Sequence, residues 1–530
     1  MDTAGKTATA RRFDATALRG KVVHVLLDLT YAGRLFRLAR TDLLMTSTAT
    51  GEALQYAGDL VDEVRWEEVI NLFQASADNV STPLAFTLPV NVAALVQAGH
   101  DLLQATGELS LWIEGTAYEA RRVLLRGHLV DPSYGYAGEP VVASLESEAF
   151  RDRAVVPPSL LVVSTETWPN ADSSVLGRSY PLPFGEASVA SSPGYLVDTT
   201  GGAEVLLVAG GTCVATSASV TDGTTTEVRA LTRSTDALGR TCTTMSLAGT
   251  ALALDGAFGL VWNQGAGGMQ ARDGGTLTRA GDVLEAFLSM STLPVDWGRV
   301  AAARPYLDPF LLCGCVVEGV TPWEWLTANV LPLLPCSLVN GPDGVYPVPW
   351  RYAATSRDAV ATIDTAADPD VELDGAVLVE GSARDRVNRL KLRYALDQLT
   401  GTTTRYAVLG SDEATSTAVA ESVYCAQSRL RYGVLEVEAE STVVYDPATA
   451  ALVLAWQARA GALPTRRVQY LMPSSWGWLE RGDVVLLTDA GLSFSLQPAL
   501  VEGTTYQEDG MLGLALRLVD DVARKFRAAG

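Results

Sequence analysis

From Glu480 to Asp520 the chain reads ERGDVVLLTDAGLSFSLQPALVEGTTYQEDGMLGLALRLVD, short apolar runs broken by Gly, Asp and Ser. Runs of this length suit β-strands and fall short of the about ten residues of an ordinary helix. The spacing predicts strands over about 482–488, 493–502 and 511–519, after one at about 465–472. Asp483 and Asp489 flank VVLLT, Glu502 ends a run, and Asp509 lies in the turn Glu508-Asp509-Gly510. Such acids belong either to a catalytic cleft or to a wall that something passes.

The same texture opens the chain. VVHVLLDLTYAGRLFRLART is two strand-like runs around Tyr31-Ala32-Gly33, a β-hairpin with Gly in the turn. LPVNVAALVQAGH predicts a short helix capped by Asn91 and ended by Gly99. Gly107 to Glu146 alternates in three runs, an antiparallel meander. Together these predict a first β-barrel or sandwich over 15–160.

After Pro157-Pro158 the composition shifts to Thr, Ser, Gly and Ala, predicting an inserted β-rich accessory module at 161–272. TRAGDVLEAFLSM has helical spacing, and TPWEWLTANVLPLLP starts a helix at the Thr321 N-cap with Pro322 in the first turn. With GVYPVPWRY they give a small α/β domain at 273–365. In the last unit, 366–530, YDPATAALVLAWQARAG predicts a helix with Asp446 as cap, Pro447 next and Gly461 at its end. The fold class is mainly β with some α (α+β): two barrel or sandwich domains, a small α/β domain and the inserted module. A length of 530 residues accommodates them at about 150 residues per domain.

Charge excludes some partners. Sixty-one acids against 40 Lys and Arg give a net charge of −21, and only Lys6, Lys21, Lys391 and Lys525 are lysines. Phosphate neutralisation needs clustered cations, so neither specific nucleic-acid binding nor docking on anionic membrane is expected. No apolar stretch reaches the about 20 residues that span a bilayer, and MDTAGKTATARRFDATALRGK lacks the apolar centre of a signal peptide. A soluble chain made in the cytoplasm is expected, with its six cysteines as free thiols.

No motif carries chemistry on its own. His24, His100 and His128 all precede the first cysteine and lack HExxH spacing, so neither a papain-type pair nor a zincin is expected. Cys313-Gly314-Cys315 is one residue short of the usual metal or redox spacing. No GxSxG occurs, and QGAGGMQARDGG lacks the Lys-Ser/Thr of a phosphate loop. Glu67-Glu68 after Trp66, and Glu324 between Trp323 and Trp325, are the acids a glycan-cleaving site would use. The helix start around Glu324 explains it as well, because acids there favour the helix dipole. Catalytic, cofactor-binding and metal residues are therefore expected to be none.

In the order of its elements the chain resembles tail hub proteins of tailed bacteriophages. DPATAALVLAWQAR, TRRVQYLMP, WLERGDVVLLT and the final hairpin to LALRLVD carry the likeness, with ELSLWIEG and RRVLLRGHLVDP in the first unit. GDVLEAFLS through TPWEWLTANVLPLLP resembles the intervening hub domain, and GRSYPLPFGEA an accessory domain of siphophage tail proteins. The resemblance implies two tube-like domains per chain and a homotrimer whose ring meets a hexameric tail tube. It implies a structural protein of the baseplate or tail tip, in the virion, assembled in the host cytoplasm. The implied partners are the tail tube or distal tail protein, fibre or tip proteins, and the tape measure protein. DNA ejection through such a ring suits an acidic lumen that repels phosphate, and Asp483, Asp489, Glu502 and Asp509 are the candidate lumen-facing acids. A tail-associated peptidoglycan hydrolase and a carbohydrate-binding tail-tip adhesin are the other readings.

Overall fold

The structure is a computed structural model that describes residues 21–519 apart from 62, 63, 65, 70–80, 137, 148–151, 203, 255, 256, 263–268, 352, 353, 369, 376, 381–385, 410–416, 420, 421 and 507–510. It is mainly β with helices packed alongside, an α+β fold.

The first unit holds β1 (Val23–Tyr31), β2 (Arg34–Ala39), β3 (Leu43–Thr46), β4 (Ala53–Tyr56), β5 (Trp66–Val69), β6 (Ser81–Phe86), helix α1 (Val92–Gln97), β7 (Thr106–Ile113), β8 (Arg122–Ser133) and β9 (Val141–Ser147). Six of these strands form an antiparallel sheet in the order β2-β1-β7-β8-β9-β6. The hairpin turns at Ala32 and Gly33, with φ of 49° and 73°, so Tyr31 faces Arg34; paired left-handed residues match the twist of the strands they join. Residues 57–60 hydrogen-bond to Arg37 and Ala39 of β2, while Val61 N donates to Ala85 O and Thr87 N to Asp59 O, so this connection bridges the two outer strands. Strand β1 lacks strict alternation because both its faces are covered. Leu27, Leu29 and Tyr31 point into the main core, and Leu26 packs with Met45, Leu54 and Tyr56 of the β3–β4 hairpin. At Gly127 a Cβ would lie 1.8 Å from Glu146 O, so only glycine allows β8 and β9 to approach.

Strand β10 (Leu182–Phe184) pairs with β17 (Gly314–Val316) of the central unit. This is the PLPFG of the accessory-like motif. Gly185 has φ 73°, and a Cβ there would meet Leu312 O at 2.2 Å. The chain then leaves for a closed antiparallel barrel of β11 (Ser192–Asp198), β12 (Val205–Ala209), β13 (Ser217–Thr221), β14 (Thr226–Thr235), β15 (Thr241–Ser246) and β16 (Phe258–Val261), ordered β11-β12-β15-β14-β13-β16 and back to β11. Leu206, Val220, Met245, Leu260 and Trp262 fill it, with Trp262 Nε1 donating to Ser192 Oγ at 2.7 Å. Outside it, the Tyr180 hydroxyl donates to Asp236 at 2.8 Å, and Arg240 Nε reaches the same carboxylate at 2.7 Å.

The central unit contains α2 (Ala280–Met290), α3 (Trp297–Leu307), α4 (Pro322–Asn329), and the hairpin β18 (Cys336–Gly341) with β19 (Gly344–Pro349). Thr321 and Glu324 close a reciprocal capping box on α4. Phe287 and Trp325 stack at 4.1 Å, with Phe184 edge-on to both.

The chain next lays down β20 (Ala359–Asp364), β21 (Glu372–Leu373) and β22 (Leu378–Glu380) in the last sheet, then returns to the central unit. There it forms β23 (Arg389–Asp397), β24 (Thr402–Leu409), β25 (Thr417–Val419), α5 (Val423–Tyr432), β26 (Glu436–Glu440) and α6 (Pro447–Gly461). Leu392, Tyr394, Leu409, Val453 and Leu454 share one core with Phe287 and Trp325. The stretch 389–461 was expected to belong with the last β-unit. Its strands and α6 share one hydrophobic core with residues of α2 and α4. Strands β27 (Thr465–Pro473), β28 (Val484–Asp489), β29 (Phe494–Tyr506) and β30 (Met511–Leu518) complete an eight-stranded sheet, β20-β28-β29-β30-β27-β21, with β22 also on β27 and β5 on β29.

Candidate functional site

The residues of most consequence lie where β29 changes partner. Its first half pairs with β28; its second half, Gly503 to Tyr506, pairs with Val69 to Trp66 of β5, from the first unit. Between the halves the register against β30 shifts at Val501/Gly503, which leaves Glu502 as a bulge residue. A bulge bends its strand and re-aims a side chain. Here the Glu502 carboxylate is 2% exposed, accepts from Arg517 Nε on the neighbouring strand β30 and forms an ion pair with Arg467 on β27, one strand further on. Arg517 Nη1 also donates to Thr465 at 2.7 Å. A buried acid is tolerated because two guanidiniums surround it, and removing one partner of such a cluster costs about 3–5 kcal/mol.

The loop Ser474 to Gly482 is gripped from all sides. Arg122 of the first unit donates to Gly477 O and, at 3.1 Å, to Leu479 O, with its guanidinium 5.3 Å from the Trp66 ring. Arg299 of α3 meets Glu480 at 2.8 Å and lies 4.3 Å from the Tyr346 ring centre. Burial alone would lower the Arg299 pKa; Tyr346, Glu480 and Asp296 outweigh it and raise it, so the charge is fixed. Arg481 Nη2 donates to Asn340 O at 2.9 Å, and Arg126 bridges Glu108 and Asp343, each at 2.7 Å. First, central and last units therefore meet on one arginine-rich junction.

The acids considered for a channel wall have other surroundings in the protomer. Asp483, 6% exposed, accepts from Glu480 N at 2.9 Å and so closes the turn into β28. Asp489, 9% exposed, accepts from the Tyr470 hydroxyl at 2.9 Å and from Leu492 N at 3.1 Å. Burial, with Asp489 alongside, raises the Tyr470 pKa. Glu502 is the bulge acid, and Asp509 lies outside the described residues. Asp483 and Asp489 stand at the two ends of the β28 run, beside turns, and turn backbone claims their carboxylates.

Among the described residues the candidate chemical groups have separate surroundings. Glu324 is occupied in its capping box, and Glu67 and Glu68 sit on β5, whose backbone faces Thr505 and Thr504. His24 lies 5.7 Å from Trp112 and its pKa is lowered by burial; His100 offers its carbonyl to Tyr31. Cys313 and Cys315 are free thiols, and burial pushes Cys313 up to about 12. Among the described residues no cluster of three or more His, Cys, Asp or Glu could hold a metal. Sequence reasoning missed Arg467, Arg517, Arg122 and Arg299. The Glu-Gly pair inside a strand was the available signal, since glycine in a strand often marks a bulge.

No protein-family model matches the sequence, and no curated protein matches it. Among solved structures, the chain is similar to a tail protein from Neisseria meningitidis MC58 (10% identity, 94% of this chain and 97% of that one, TM-score 0.39). It is similar also to the 43 kDa tail protein of prophage MuSo2 from Shewanella oneidensis (11%, 94% and 98%, TM-score 0.37) and to prophage tail protein gp18 from Listeria monocytogenes EGD-e (8%, 90% and 94%, TM-score 0.37). With TM-scores below 0.5, these likenesses carry no argument about what the chain does.

Proposed function

We propose that this chain is a structural tail hub protein of tailed bacteriophages, assembled in the host cytoplasm and resident in the virion, with three copies forming a ring that continues the tail tube and lines the DNA-ejection channel. The observation that carries the reading is the addition of β5 to β29, which couples a first and a last β-rich unit within one chain. Three such chains around an axis would offer six β-units, the number that meets a hexameric tube. The resemblance of TRRVQYLMP, WLERGDVVLLT and their neighbours to hub sequences supports the same role, as does a net charge of −21 for a conduit that must not hold phosphate. Since Asp483, Asp489 and Glu502 are buried in the protomer, a repulsive lining is to be sought on other acids. The proposed neighbours are the tail tube or distal tail protein, the fibre or tip proteins, and the tape measure protein in the channel.

The role requires no catalytic step, and the Glu324 carboxylate that a hydrolase would use caps α4. Mass photometry of the full chain is expected to give a species of three times 56.2 kDa, and negative-stain averages an annulus. Monomers at every concentration, with no co-assembly onto tail tubes, would reject the hub. A cell-wall zymogram is expected to show no clearing; a clearing zone lost in Glu324→Gln would install the hydrolase instead.

A further inference from the structure

The first and last units share a strand plan. Strands β6, β7, β8 and β9 follow one another in the chain and lie in the order β7-β8-β9-β6, while β27, β28, β29 and β30 lie as β28-β29-β30-β27, every pair antiparallel. Both sets shift register within the first hairpin, at Leu109/Ser110 and Leu487/Asp489, and again in the second, at Val130/Ser133 and Val501/Gly503. The end of the β7–β8 hairpin therefore corresponds to the end of β28–β29, and the β6–β7 connection, 87–105, to the β27–β28 connection, 474–483.

Within one chain these parts meet in one direction. The β7–β8 end grips the β27–β28 connection: Arg122 donates to the Gly477 and Leu479 carbonyls, and a Cβ on Gly477 would lie 3.4 Å from Leu111 Cδ1. The counterpart surfaces face solvent. The β28–β29 tip exposes Ala490, Ser495 and Leu496, and the 87–105 connection exposes Ala98, His100, Leu103 and Gln104. Leu496 is 54% exposed at φ 48°, a backbone conformation that bulky side chains rarely adopt and that occurs where contacts are made, and Leu103 is 44% exposed. Residues 490–496 carry no charge and 87–105 only Asp101, in a chain whose residues are 19% charged. Apolar anchors in a charge-depleted surround are the composition of an interface centre.

We propose that the β28–β29 tip of one chain seats Leu496 against Leu103 in the 87–105 connection of a second copy. Tip and connection lie on different units, so the contact is heterologous, and the two junctions in alternation carry first and last units head to tail around a ring. No strand is lent at the second junction, because Leu129 N of β8 already donates to Ala105 O. The contact between copies therefore rests on few side chains and yields to single substitutions. It rests on the proposed self-assembly and says which surfaces close the ring. The test compares the full chain with Leu496→Lys, Leu103→Glu and the double variant by mass photometry, with circular dichroism expected to show the parent fold because both side chains are exposed. Each single change is expected to weaken self-association about ten-fold or more. The double variant is expected to recover most of it, because every junction then sets Lys against Glu. Three-chain species undiminished in either single variant, or a double variant that associates no better than the singles, would overturn this contact while leaving the hub standing. A parent chain that stays monomeric would overturn both.

Discussion

The closed barrel of 192–261 and the open sheet of 465–518 solve the same problem in opposite ways. The barrel pairs its last strand with its first, so every ladder closes within about seventy residues of sequence. The larger sheet is finished by β5, some 430 residues upstream of β29, and by β22, which sits across a long excursion from β27. A closed unit can open alone; a sheet completed from a distance ties its stability to the units that lend the strands.

The strongest way to break this contrast is Trp66→Ala. Trp66 lies on β5 and is 1% exposed, and losing such a side chain costs about 3–5 kcal/mol. Hydrogen exchange is expected to accelerate in Gly503 to Tyr506 as well as in the first unit. Trp262→Ala in the barrel carries a comparable cost, with faster exchange confined to 192–262; the coupling argument fails if the two substitutions spread alike.

Glu502→Ala comes next, at about 3 kcal/mol, because the half-buried Arg467 and the more deeply placed Arg517 would lose the carboxylate between them. A chemical-denaturation midpoint unchanged from the parent would remove Glu502 from the junction.

Asp236→Asn should cost about 2 kcal/mol and act on the barrel and the Tyr180 segment beside it. Burial pushes the Asp236 carboxyl up, but the Arg240 backbone N–H, the Tyr180 hydroxyl and the Arg240 guanidinium outweigh it and hold it below the usual range. Its contribution is therefore present above about pH 4 and is lost as pH falls through the folded value. Tyr180 is pushed up to about 12 by burial and Asp236, so its neutral form stabilises the barrel until pH rises from about 10 toward that value. A barrel fluorescence signal flat across both limbs would contradict this. Smallest is Thr321→Ala, about 1 kcal/mol from the α4 cap, felt in neither sheet and read from the melting temperature.

What the sequence made legible is local. The turn at Ala32-Gly33, the caps Asn91, Thr321 and Asp446, and the four last strands depend on residues a few positions apart, and each occurs where spacing predicted. Helix α3 was missed because Pro305 lies within it. Helix α5 was missed because its buried face is Cys425 and Ser428 while Val423 and Leu430 point outward, which inverts the usual stripe. The core that 389–461 shares with α2 and α4 was not legible, since an apolar strand face does not name the core it enters. The junction was half visible: Glu502 drew notice as an acid at a run's end, but its guanidinium partners come from other strands, and only the sheet's register brings them together.

The barrel's entry and exit have a mechanical consequence. Ser192, its first residue, pairs with Leu260, almost its last. Force applied through the connections would load that ladder one bond at a time, as a zipper. Under tension on the chain, the barrel would open from the seam between β11 and β16.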